Sequence, residues 1–129
     1  MDILRNDLTF SLLARTLEGL AQRQELIAQN LANVNTPGYR RREVVFEDAL
    51  RAALREAERK GLPPQEALAS ARFQPVVERS LFYRNDRGGV DLDREMAEQA
   101  KTALKLSAVL TILGKRIGMY KRTLEQGGM

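Results

Sequence analysis

The sequence predicts a mainly α-helical protein: long antiparallel N- and C-terminal helices forming a coiled-coil hairpin, with a small helical and β middle segment. Three observations predict it. Apolar residues recur at alternating three- and four-residue steps through both ends of the chain. Aromatic residues make up only 5% and Trp is absent, so packing must rest on Leu, Ile, Val and Ala. All four prolines, the strongest helix breakers, fall between the two periodic stretches. At 129 residues the chain holds one modest core, divided into an N-terminal coiled-coil helix over 1–36, a middle segment over 37–90 and a C-terminal coiled-coil helix over 91–129.

The first helix carries a ladder of Ile3, Asn6, Phe10, Leu13, Leu17, Leu20, Gln24, Ile27, Leu31 and Val34, of which eight are apolar. A seven-residue repeat sustained over about four heptads is a coiled-coil seam. A helix of that length is too slender to stand alone unless its stripe is covered, so a second ladder is its natural partner. That ladder runs through Leu92, Met96, Gln99, Ala103, Leu106, Leu110, Leu113, Ile117, Tyr120 and Leu124. The expected helix–helix seam sets Phe10, Leu13, Leu17, Leu20, Ile27, Leu31 and Val34 against Leu106, Leu110, Leu113, Ile117, Tyr120 and Leu124. Aligning the ladders also brings Gln24 near Gln99 or Ala103, and a Gln24–Gln99 meeting would be a polar pair able to fix register.

Pro37 cannot continue a helix and turns Thr36 away from helical angles, so the first helix ends near Asn35. Thr36-Pro37-Gly38-Tyr39 fits a type II turn, with Gly at the position that needs a positive φ. Phe46, Leu50, Ala53, Leu54 and Ala57 then outline a short amphipathic helix ending at Gly61, with Glu47 and Arg51 one turn apart as an ion pair. Pro64 opens another brief helical turn. "VVERSLFYR" alternates like a strand or small hairpin before the Gly88-Gly89 breaker. Asp91 or Asp93 caps the last helix, with Glu95 in its first turn, where carboxylates suit the positive helix end. Gly114 and Gly118, one turn apart inside that helix, suggest a close backbone approach there.

Composition excludes much chemistry. The chain has neither Cys nor His, which removes thiol nucleophiles, imidazole bases, disulfides and nearly every zinc site. The expectation is a protein that is not an enzyme, with no catalytic residue, no cofactor, no metal and no small-molecule ligand. No signal peptide is legible at the start, and "LSAVLTILG" is far shorter than the ~20 residues that span a bilayer. A net charge of +4 and a pI near 9.8 raise a nucleic-acid-binding or adaptor module as the alternative, with Arg40, Arg41 and Arg42 on phosphates. Acids are interspersed with the bases, however, and a salt-laced solvated face accounts for most of the charge. The three arginines more naturally anchor the turn through Glu43, Glu47 or a neighbour's acids.

The amides before the turn need their own account. Asn is a poor helix former, yet Asn30, Asn33 and Asn35 crowd the end of the first helix. Capping explains Asn35; a partner-facing role is expected for Asn30 and Asn33, because an amide donates and accepts at once. Together with Thr36, Pro37, Gly38 and Tyr39 they make a candidate assembly motif.

"AQRQELIAQNLANVNTPGYRRREVVFE", Ala21 to Glu47, resembles the N-terminal signature of the flagellar rod, hook and axial protein family, whose long helix ends in Asn-x-x-Asn-x-x-Thr-Pro-Gly followed by an aromatic. "GGVDLDREMAEQAKTALKLSAVLTILGKRIGMYK", Gly88 to Lys121, is similar to the matching C-terminal stretch. The small size and plain helical ending resemble the proximal rod members most. The resemblance implies a subunit of the basal-body rod, exported without a cleavable signal peptide and polymerised in the periplasm. It implies as partners further copies, other rod proteins, and export-gate and membrane-ring components at the rod base, and no nucleic acid.

Overall fold

A computed structural model of the chain describes residues 7–78 and 90–127. Along the chain they form α1 (Leu8–Ala32), β1 (Arg42–Glu43), α2 (Phe46–Lys60), α3 (Pro64–Ser70), β2 (Val76–Val77) and α4 (Leu92–Gly127). The chain is mainly helical, and its two longest helices stand near its two ends.

Asp7 begins α1 as a cap: its backbone is extended and its carboxylate accepts the Phe10 N–H at 3.2 Å. The expected rungs Ile3 and Asn6 lie outside the described residues. The helix closes at Ala32, short of Val34, where Asn33 turns its N–H back to the Gln29 and Asn30 carbonyls. The Tyr39 N–H then donates to the Thr36 carbonyl at 3.2 Å with Gly38 at φ +76°, as the Thr-Pro-Gly-Tyr spacing requires.

After the turn the chain folds back over α1. Its two-residue strand β1 pairs antiparallel with β2, Arg42 opposite Val77 and Glu43 opposite Val76. The strand expected at the start of Val76–Tyr83 is present as β2, paired to a strand more than thirty residues upstream; the rest of that stretch lies outside the described residues. α2 keeps its expected bounds and stops at Gly61, which takes the left-handed conformation (φ +68°) that Gly supplies without steric cost. Pro64 occupies the first turn of α3, where its missing N–H is no loss.

The core gathers where this middle segment lies on α1. Leu20, Leu26, Val44, Phe46, Leu50 and Leu68 are buried together, with Leu12, Leu54, Ala71, Phe73, Leu106 and Val109 packed around them. Phe46 reaches its place because residue 19 is glycine: a Cβ there would stand 2.2–2.6 Å from three ring carbons. Two α1 arginines lie over the aromatic pair at its centre. Arg23 stacks 4.5 Å from the Phe46 centroid and Arg15 4.4 Å from that of Phe73, the two rings being 5.8 Å apart. Arg15 also donates to the carbonyls of Leu68 and Ala71, closing the open end of α3.

α4 starts on Asp91, whose carboxylate accepts the N–H groups of Asp93 (3.0 Å) and Arg94 (3.4 Å); Asp91 is therefore the cap and Asp93 a first-turn acid. α4 is 36 residues long against 25 for α1, so the two helices are not the near-equal pair that the ladders suggest. α4 packs mainly on α1.

Candidate assembly site

The motif before the arginines turns inward. Asn30 is fully buried, and its amide donates to the Arg42 carbonyl (2.9 Å) while accepting the Arg42 N–H (3.0 Å) and the Tyr39 hydroxyl (3.4 Å). It does for Arg42 what a neighbouring strand would do, locking the chain returning from the turn onto the helix. The partner-facing role expected of Asn30 therefore gives way to an internal one, because every hydrogen bond its oxygen and nitrogen make is spent within the chain. Asn33 caps the helix end, donating to the Gln29 carbonyl (2.8 Å) and accepting from the Thr36 hydroxyl (3.1 Å). Asn35, Thr36, Pro37 and Gly38 are the exposed part of the motif, and Tyr39 is half-buried.

Of the three arginines, only Arg41 is buried. Its guanidinium meets Glu95 at 2.5 Å, Glu43 at 2.9 Å and Glu78 at 3.5 Å, so one cation joins β1, the segment after β2 and the first turns of α4. Burial disfavours its charge, but the hydrogen bonds it donates to Glu95 and Glu43 outweigh this and raise its pKa. Glu95 is itself fully buried, and its second oxygen, Oε2, has no hydrogen-bond partner. Arg40 and Arg42 point to solvent.

A second polar key sits at the opposite end of α1. Asp7 accepts hydrogen bonds from Arg116, through Nε at 3.0 Å and through Nη2 at 2.8 and 3.0 Å, and one from the Tyr120 hydroxyl. The Tyr120 bond, with burial opposing and Arg116 assisting, holds the Asp7 carboxyl at about 2, and raises the pKa of Tyr120 in turn. Midway, Glu47 joins Arg23 (2.5 Å) to Lys105 (3.5 Å). Burial would raise its carboxyl, but the Arg23 hydrogen bonds prevail and keep it at about 2. Arg51, the partner expected for Glu47, pairs with Asp48 instead.

These keys fix which side of α4 faces inward. The covered line is Glu95, Thr102, Leu106, Val109, Leu113, Arg116 and Tyr120. It shares Leu106, Leu113 and Tyr120 with the expected ladder but takes Thr102, Val109 and Arg116 where the ladder has Ala103, Leu110 and Ile117. Leu110, Ile117 and Leu124 are left 49%, 46% and 62% exposed. The reason is polar: Glu95 must meet Arg41 and Arg116 must meet Asp7, and satisfying both rolls the helix by one residue. On α1 the rungs stay covered: Leu20 and Ile27 are buried, and Phe10, Leu13, Leu17, Leu31 and Val34 are half-buried. Gln24 lines one groove with Ala103, Ser107 and Leu110, so of its two expected neighbours it lies with Ala103, further along α4 than exposed Gln99, and not with the glutamine. Gly114 and Gly118 have open space where a Cβ would be. No element among the described residues makes the close approach they suggest.

Among the described residues no cluster of acidic side chains is arranged to hold a metal ion, and no helix is long and apolar enough to cross a membrane. A family model described as flagella basal body rod protein matches residues 12–40, most of α1 and the whole turn. The chain is 33% identical over 118 residues to the flagellar basal body rod protein FlgB of Yersinia enterocolitica, covering 83% of this chain and 86% of that protein. It is 34% identical over 120 residues to FlgB of Salmonella typhimurium, with the same coverage, and 36% identical over 102 residues to FlgB of Borrelia hermsii, covering 70% and 76%. The chain belongs to the FlgB family of flagellar basal body rod proteins.

Proposed function

We propose that this chain is a structural subunit of the proximal rod of the bacterial flagellar basal body, polymerising through its terminal helices. The observation that carries the reading is the surface of α4. Leu92, Met96, Leu104, Leu110, Ile112, Ile117, Met119 and Leu124 are all about half exposed or more on one helix, and soluble monomers rarely leave so much apolar surface along a single element. Burial is worth roughly 1.5–3 kcal/mol for each such side chain fully covered, so association with like chains is strongly favoured.

In this reading α1 and α4 run antiparallel as a coiled-coil pair. Three contacts support the direction: Asp7 at the start of α1 meets Arg116 and Tyr120, Gln24 meets Ala103 and Leu110, and Arg41 beyond the end of α1 meets Glu95. The partners are further copies and other rod proteins, with export-gate and membrane-ring components at the base. The site of assembly is the periplasm. The nucleic-acid alternative is weakened, because Arg41, the central one of its three arginines, is enclosed by three carboxylates, leaving only Arg40 and Arg42 exposed. The test is to express the chain in a flagellated host lacking its own FlgB and to image isolated basal bodies by electron microscopy. Rods are restored if the reading holds; soluble accumulation of the folded chain with no rod in any basal body overturns it.

A further inference from the structure

Resting on the rod-subunit reading, we propose that two different patches of this chain fit one another between copies: the distal part of one α4, around Ile117, Gly118 and Lys121, docks into the groove beside Gln24 on the next. The receiving groove has a volume of about 430 Å³ and lies between Gln24 on α1 and Ala103, Ser107 and Leu110 on α4. It is open because Ala and Ser stand where larger residues would fill it, and it is mostly apolar. The incoming patch is its complement. Ile117 is half exposed and flanked by Gly114 and Gly118, whose missing side chains face open space. Glycine inside a helix costs about 1 kcal/mol against Ala, and nothing among the described residues uses the room it leaves. An apolar knob between two bare turns is the shape that lets a second helix come close to a rim of Ala103 and Ser107.

Charge selects the register. From residue 99 to 124 α4 has no Asp or Glu, and its Lys115, Lys121 and Arg122 make no ion pair among the described residues. Glu25, exposed and without an ionic partner among the described residues, directly follows Gln24, which lines the groove. Two copies packed flank to flank at the same level would set Lys115, Lys121 and Arg122 against their own equivalents. A copy displaced along the axis brings Lys121 and Arg122 to Glu25 as Ile117 enters the groove. The two patches are different, so the contact is heterologous: each copy keeps one patch free, and the array extends.

The absence of native cysteine makes the register directly testable. The chain carrying both Ser107→Cys and Gly118→Cys is expressed in the FlgB-lacking host, and its basal bodies are oxidised and run without reductant. Covalent dimers and higher species are expected from the double variant, and none from either single variant. Dimers from Gly118→Cys alone, or rods from the double variant that give no cross-link, overturn the proposal while leaving the rod reading intact. If the double variant builds no rod, charge exchange decides: Lys121→Glu is expected to abolish swimming and Glu25→Lys in the same chain to restore it, with the melting temperature unchanged in both. Swimming unaffected by Lys121→Glu, or unrestored by the exchange, overturns the docking register. Failure of the unsubstituted chain to build rods is a different result and counts against the rod reading instead.

Discussion

Gly19→Ala is the substitution whose sign depends most on the packing described. In an exposed helix interior, Gly→Ala gains about 1 kcal/mol. At position 19 the new Cβ would lie 2.2–2.6 Å from three carbons of the Phe46 ring, closer than any unstrained contact. The ring cannot retreat, because it is 1% exposed, with the Arg23 guanidinium 4.5 Å from its centre and the Phe73 ring tilted against it at 5.8 Å. Overpacking of this kind costs about 1–3 kcal/mol, so after the propensity gain the net loss is roughly 0–2 kcal/mol. That corresponds to a fall in Tm of up to about 8 °C in a chain of this size. Gly114→Ala and Gly118→Ala serve as internal controls: nothing lies within 4 Å of either added atom, and each should raise Tm. Thermal melts by circular dichroism read all three, and Phe46→Leu added to Gly19→Ala should recover part of the loss. If Gly19→Ala stabilises the chain as much as the two controls do, the close approach of Phe46 to α1 is refuted.

Arg41→Ala leaves Glu95 buried without its cation and should cost about 3–5 kcal/mol in denaturant titration; replacing both by apolar residues of similar volume should cost much less, and equal losses would show that the pair is not what is lost. Asn30→Ala strips the hydrogen bonds that hold Arg42 and should cost about 1–3 kcal/mol, with amide exchange accelerating at Arg42; unchanged exchange there would contradict the inward role of Asn30. Asp7 and Glu47 are held at about 2 from ordinary values of 3.8 and 4.5. Because the folded-state values are depressed, their stabilisation is complete above about pH 4.5 and is lost as pH falls toward 2. Tm should decline through that window and Asp7→Asn should flatten the decline; an unaltered acid profile would exclude Asp7 as a contributor.

Much of this fold is legible in the sequence where one residue type has one physical use. Pro37 and Gly38 specify the turn, Gly61 ends α2, Pro64 opens α3 and Asp91 caps α4, since each position demands a backbone angle or a missing donor that few residues meet. The facing of α4 was harder to read because that helix is apolar on more than one flank. A heptad count follows Leu110 and Ile117, while the chain buries Thr102, Val109 and Arg116 beside them. What decides the matter is two ion pairs, Arg41–Glu95 and Asp7–Arg116, separated by 54 and 109 residues. Only the register of the fold brings those partners together, so no local window reveals them. The signal that was available is compositional: Glu95 sits in phase with Thr102, Val109 and Arg116, a polar-tolerant line beside an apolar one. Asn30 misleads for a related reason. An amide beside a seam suits a partner or a returning chain equally well, and only the path of the backbone after Tyr39 distinguishes them. Gly19 is visible as a lone glycine inside a periodic helix, which is a cue to close packing, but the residue it admits is not.

The account stands on α4 carrying two lines with separate duties, an inner one that completes the monomer and an outer one that meets other chains. An aspartate scan of Thr102, Ala103, Leu106, Val109, Leu110, Leu113 and Ile117, with Tm of the purified chain and rod formation in the FlgB-lacking host measured for every variant, addresses both at once. Expected is a split by helical phase: Thr102, Leu106, Val109 and Leu113 variants melt earlier, whereas Ala103, Leu110 and Ile117 variants keep their Tm and build no rods. Loss of Tm at Leu110 and Ile117 as large as at Val109 and Leu113, or rods built normally by both outer-line variants, would contradict it.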